Sequence, residues 1–220
     1  MRSCYVLLAL MNVLFLSQSG RTQNPMHDPV AFACNSRHFM QDDFRSQPVI
    51  DSPDGKKAVR LTQDGNFEIV VDAAVISRLR LPDIECNIEV GWSPDSSQFF
   101  ISYSDGGAAG GFHVYLYRLN GTALTKSRIP AAVAKDFKAK HWCKTRGNNL
   151  FFLNWTPDSK IGFLVAEVYP ASDCGEEMGL YRGYVVNLDN GRILHIFTEA
   201  QTDAIEKNCR ASGSLALPSN

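Results

Sequence analysis

The chain has 220 residues, 45% of them hydrophobic and 20% charged, enough apolar side chain for one buried core. Its formal net charge of -1 and the lack of a long basic run argue against a nucleic-acid partner or a surface built for anionic membranes.

The N-terminus reads "MRSCYVLLALMNVLFLSQSG": Arg2, an apolar run from Tyr5 to Leu16, then small residues at Ser17 and Ser19. This is the pattern of a secretory signal peptide over residues 1–19. The run falls short of the roughly 20 apolar residues of a spanning helix, and no later segment is apolar enough to span, so the expected destination is secreted or periplasmic. Cys34, Cys86, Cys143, Cys174 and Cys209 remain after such a cleavage. In an exported chain they are read as disulfide formers, with at most two bridges and one thiol over. Spacing does not select the pairing. The expectation taken forward is Cys143–Cys174, flanking one repeat, and Cys34–Cys209, joining the ends.

An approach segment, 20–45, leads into strand-like runs. Asp28-Pro29 reads as a helix start. From residue 46 to 199 one unit occurs three times: "PVIDSPDGKKAVRL" at 48–61, "EVGWSPDSSQFFISY" at 89–103 and "FFLNWTPDSKIGFLV" at 151–165. In each, a Pro-Asp turn separates two runs rich in β-branched and aromatic residues, which is a hairpin. Trp92 and Trp155 hold the same offset before the proline, where Asp51 stands in the first copy. Two more strands follow each hairpin, with Asn120-Gly121 and Asn190-Gly191 at corresponding turns. The unit is therefore a four-stranded antiparallel sheet of about 40 residues, the size of a propeller blade, stacked on its neighbours.

These stretches, hydrophobic–Trp–Ser/Thr–Pro–Asp–Gly/Ser–Lys, resemble the TolB-type β-propeller repeat, which also occurs in propellers attached to some exopeptidases. The resemblance spans about 46–199 and implies an all-β fold of three blade-like repeats, a short or incomplete propeller with minor helical insertions. It says little of function, because propellers host unrelated roles. Closed propellers usually have at least four blades. A second chain completing the ring as a homodimer is one alternative, and the two terminal segments covering the open edges is another.

Three insertions interrupt the repeats. "SDGGAAGGF" (104–112) is a glycine-rich loop. "AAVAKDFKAKHWCKTRGNN" (131–149) reads as a short amphipathic helix around Ala132, Val133 and Phe137. "YPASDCGEEMG" (169–179) is acidic and carries Cys174. The tail, 200–220, contains a helix-like "TDAIEKNC".

No G-x-S-x-G nucleophile turn and no H-E-x-x-H is present, and the five histidines are scattered. No metal or cofactor is expected, and no catalytic residue is assigned. The reading that follows is an exported, non-enzymatic module that binds a protein or cell-envelope partner through a rim, by way of Phe137, His141 and Trp142. The alternative is an exported hydrolase or lyase using His113, His141, Asp105 and Glu176. Of two sequons, Asn120-Gly121-Thr122 is expected on an exposed turn and Asn154-Trp155-Thr156 inside a strand.

Overall fold

A computed structural model describes residues 31–32, 38–41, 48–81, 86–105, 111–141, 143, 146–212 and 215–216. Residues 1–19, Asp28-Pro29, Cys34, Trp142 and the Cys209 side chain lie outside them, and with them the signal-peptide reading, the helix start and the Cys34–Cys209 pairing. Short strands β1 (Ala31–Phe32) and β2 (His38–Gln41) precede the repeats. The first sheet holds β3 (Val49–Asp51), β4 (Lys57–Leu61), β5 (Phe67–Val71) and β6 (Ala74–Leu79). The second holds β7 (Cys86–Trp92), β8 (Gln98–Ser104), β9 (Phe112–Asn120) and β10 (Ala123–Lys126). Helix α1 (Ile129–Lys138) leads to the third, β11 (Asn148–Trp155), β12 (Ile161–Val168), β13 (Tyr181–Asn187) and β14 (Ile193–Phe197). Helix α2 (Glu199–Ser212) and β15 (Leu215–Ala216) end the described chain.

The protein is thus all-β, with each repeat a four-stranded antiparallel meander as its spacing predicts. Two additions were not legible in the repeats. β2 pairs with the first strand of the second sheet, His38 opposite Gly91, and makes that sheet five-stranded. β1 pairs with β15, tying the N-terminal segment to the tail. The hairpin turns also differ from one another. Gly121-Thr122 form a two-residue link, whereas the third sheet closes through a longer loop in which the Gly191 amide donates to the Asn187 carbonyl. In the first sheet Asp72 and Ala73 make the tight link, both with positive φ.

The three Pro-Asp turns are built alike, bond for bond. Ser52, Ser93 and Thr156 each donate a hydroxyl to the aspartate two residues on, Asp54, Asp95 and Asp158. The same hydroxyl oxygens accept the amides of Lys57, Gln98 and Ile161, where the second strand begins. Each aspartate in turn accepts an amide two residues later, from Lys56, Ser97 and Lys160. The residue after the aspartate takes a left-handed backbone in all three: Gly55 at φ 68°, Ser96 and Ser159 at φ 60°. A serine tolerates that region at some cost in strain, and here its hydroxyl has a use. Ser96 Oγ accepts the amide of Asp54 in the sheet before it, and Ser159 Oγ accepts that of Asp95.

The seams between sheets are apolar. Val59, Leu61, Phe67 and Ile69 of the first sheet pack against Val90, Trp92, Phe99 and Ile101 of the second. Phe100 and Leu116, from the other face of the second sheet, pack with Phe152, Trp155 and Leu164 of the third and with Val133 and Phe137 of α1. Consecutive residues Phe99 and Phe100 enter different seams because strand side chains alternate in direction. Trp92 and Trp155 are fully buried, each facing the sheet before its own. The first sheet has no predecessor among the described elements, and at the tryptophan position it carries exposed Asp51. Its outward face instead holds Glu68, buried and clamped between Arg60 at 3.2 Å and Arg78 at 2.7 Å. At the other end α2 closes the stack, with Ile205 packed on Phe163, Val185 and Phe197. Among the described residues, no hydrophobic cluster joins the first sheet to the third.

α1 begins earlier and ends sooner than the 131–149 segment suggests. Pro130 suits its first turn, where an amide has no intrahelical acceptor, and the Ile129 amide finds Ser127 Oγ at 3.2 Å. Ile129, Pro130, Val133 and Phe137 form its buried face. Beyond Lys138 the Lys140 and His141 amides both fold back to the Phe137 carbonyl, which ends the helix.

Candidate binding site

β9 is nine residues long and β10 only four. β10 therefore pairs with Tyr117 to Asn120, the Ser127 amide adds one bond to the Leu116 carbonyl, and the chain then turns away into α1. The first half of β9 has no strand hydrogen-bonded to its outer edge, although the Val114 residue there is buried. Main-chain direction alternates along a strand. The Leu119 amide faces β8, bonding Ser97, and the Leu116 carbonyl faces outward, so the N–H and C=O of Val114 also face outward. The Phe112 amide, on the same side, donates to Asn149 Oδ1 at 3.0 Å.

Beside this edge lies a groove of about 240 Å³. Val114, Leu150, Pro130 and Ala134 give it an apolar floor, and Lys126, His113 and Asn148 its polar points. Lys126 Nζ stands 3.6 Å from the centre of the Tyr115 ring, a cation–π contact that holds the ammonium at the closed end. The N-terminus of α1 opens on the same end, with no acidic residue in its first turn to offset its partial positive charge. Asn148 Oδ1 is buried and accepts no hydrogen bond among the described residues. Asn149, nearly fully buried, also donates Nδ2 to Glu167 at 2.8 Å. Burial pushes the Glu167 carboxyl up, and the Asn149 bond partly opposes it.

The 131–149 and 169–179 insertions are fastened to one another. Cys143 and Cys174 form the disulfide that the sequence reading expected, at an S–S distance of 2.15 Å. His141 Nδ1 lies 3.1 Å from Glu177 Oε1, and Arg146 Nε donates to Asp173 Oδ2 at 3.2 Å while its guanidinium covers the Tyr169 ring. Of the three binding candidates, Phe137 is fully buried in the seam, with its ring against His141. It packs the core rather than facing a ligand. His141 is half-buried in the pair with Glu177, and Trp142 lies outside the described residues. The groove residues Val114, Lys126 and Asn148 carry no motif. The unequal lengths of β9 and β10 are the signal that points to them.

Of the four residues of the hydrolase alternative, only His113 and Asp105 pair with one another. His113 Nε2 lies 3.5 Å from Asp105 Oδ2, and His141 bonds Glu177, not Glu176. Cys143, Asp173 and Cys174 cluster within reach of a metal ion, but the two sulfurs are bonded to one another, which leaves one carboxylate as a ligand. No helix among the described residues is long and apolar enough to cross a membrane. Comparison of the chain with protein-family models, curated proteins and solved structures returned no match.

Proposed function

We propose that the chain is an exported, non-catalytic interaction module that recognises a protein or cell-envelope partner through the side of the stack where α1 meets the second sheet. The observation that carries this reading is the groove itself. It combines a strand edge with no strand bonded to it, an apolar floor and a positively charged end in one concave place. Export is supported by the N-terminal pattern and by the Cys143–Cys174 bridge, which suits an oxidising compartment. The resemblance to TolB-type repeats fits the same reading, since such blades serve as scaffolds for rims.

The test is site-directed photocrosslinking in the producing cells, with the photoreactive residue at exposed Ala131 beside the groove or, as a control, at exposed Val75 on the first sheet. The expected result is one discrete adduct from position 131 and none from 75. Adducts from neither position, or equally from both, remove the reading. The hydrolase alternative has one observation in its favour, the His113–Asp105 pair at the groove's open end. Turnover of any ester or peptide that disappears in His113→Gln would move the weight to it.

A further inference from the structure

We infer that the groove takes the C-terminal end of an extended peptide, which adds as a short strand along the free edge of β9 and lays its terminal carboxylate beside Lys126. The inference rests on the interaction-module reading and names the chemistry of its partner. Two observations converge on it.

The first is the main chain. β8 covers one edge of β9 along its whole length, whereas β10 stops at Lys126, opposite Tyr117. The outward N–H and C=O of Val114 are the donor and acceptor that an added strand uses. Phe112, one register step further, has its amide engaged by Asn149, so the open stretch is short. A short stretch accepts a chain end better than a chain passing through.

The second is charge. Lys126, fixed over Tyr115, and the uncompensated N-terminus of α1 both stand at the end where Ser127 closes the groove. A peptide running parallel to β9 brings its last residue there, and a carboxylate is the group that every chain carries at that place. The volume of about 240 Å³ holds two residues at most, with aliphatic side chains against Val114, Leu150 and Ala134.

The probe is acetyl-Thr-Val-Thr-Val with a free carboxylate, compared with the same peptide as its C-terminal amide. Binding is followed by amide NMR shifts and by hydrogen exchange at Val114. The free acid is expected to shift Val114, Lys126 and Asn148 and to slow exchange of the Val114 amide. The amide form and the Lys126→Gln protein should each bind at least tenfold more weakly. Val114→Pro, tolerated where a strand N–H points away from its sheet, should abolish binding; if it unfolds the protein, Lys126→Gln alone decides. Equal binding of acid and amide, or shifts that bypass Val114, overturn the inference. If neither peptide binds while the crosslink from position 131 persists, the module reading stands and the chain-end inference falls.

Discussion

The backbone amide of Asp95 donates to Ser159 Oγ at 3.1 Å, and so joins a turn of the second sheet to the equivalent turn of the third. Asp54 and Ser96 repeat the bond between the first and second at 3.0 Å. The relation has a direction: each sheet's left-handed serine serves the sheet before it. Gly55 fills that position in the first sheet, which has no sheet before it among the described residues. Ser159→Ala keeps the left-handed backbone and removes the acceptor, so it should destabilise by about 1–2 kcal/mol. Ser159→Gly should lose less, because glycine relieves strain worth about 1 kcal/mol. Gly55→Ser should only cost stability. Urea midpoints for the three variants check the order, and an unchanged Ser159→Ala would sink the seam-bond account.

The two tryptophans differ in one bond. Trp92 Nε1 donates to the Ile50 carbonyl of the preceding sheet at 2.9 Å, while Trp155 Nε1, equally buried, has no acceptor among the described residues. Both phenylalanine replacements lose ring volume, but only Trp92→Phe also loses a hydrogen bond. Its stability loss should exceed that of Trp155→Phe by about 1 kcal/mol. Equal losses would mean that Trp155 is satisfied in solution, through an ordered water for instance.

Much of this architecture was legible because the signals are local. A Pro-Asp turn between alternating apolar runs specifies a hairpin wherever it occurs, and three copies specify three sheets. Spacing left the cysteine pairing open; of the two bridges taken forward, Cys143–Cys174 is the one the described residues contain. Contacts between distant segments were not legible. β2 (residues 38–41) has no turn linking it to β7, and its pairing depends on the edge that the second sheet leaves open. Phe137 was read both as part of an amphipathic helix with nearby lysines and as a binding candidate beside His141 and Trp142. On a helix those lysines point away while Val133 and Phe137 share the buried stripe. The groove is legible only once β10 is seen to stop short of β9.

The link between β5 and β6 runs through Asp72 and Ala73 at φ 46° and 65°, where side chains with a Cβ are strained. Ala73 is exposed and loses little packing when its methyl is removed. Ala73→Gly should therefore stabilise the protein by up to about 1 kcal/mol, the glycine entropy cost being smaller than the strain relieved. A lowered thermal midpoint in this variant would show that the turn takes another form.

Replacing Cys143 and Cys174 together with serine opens a crosslink of sequence separation 31. In the chain-entropy view a closed loop of this length contributes roughly 3–4 kcal/mol. The two contacts that accompany it, the part-buried His141–Glu177 hydrogen bond and the exposed Arg146–Asp173 ion pair, should not replace it. The double variant should unfold at lower denaturant and show faster exchange over residues 169–179, with the first sheet unaffected. Uniform loosening of all three sheets would contradict a local role.

Stability lost in acid should be lost chiefly through the Pro-Asp turns. The Ser52 hydroxyl holds Asp54 well below the usual carboxylate range, and the Thr156 hydroxyl lowers Asp158 in the same way. For Asp95 burial pushes upward, yet bonds from the Ser97 amide and the Ser93 hydroxyl outweigh it and leave the carboxyl lowered. A carboxyl held below its unfolded value of about 4 contributes stability that is complete above that pH and is lost as pH falls through the folded value. Stability should thus be level from neutral pH to about pH 5 and then fall steeply. Asp158→Asn should be less stable than the parent at pH 7 and show a shallower decline below pH 4, since one bonded carboxylate no longer titrates. Equilibrium unfolding followed by circular dichroism across that range provides the comparison. Parallel declines for the two proteins would show that the acid sensitivity resides elsewhere than in these turns.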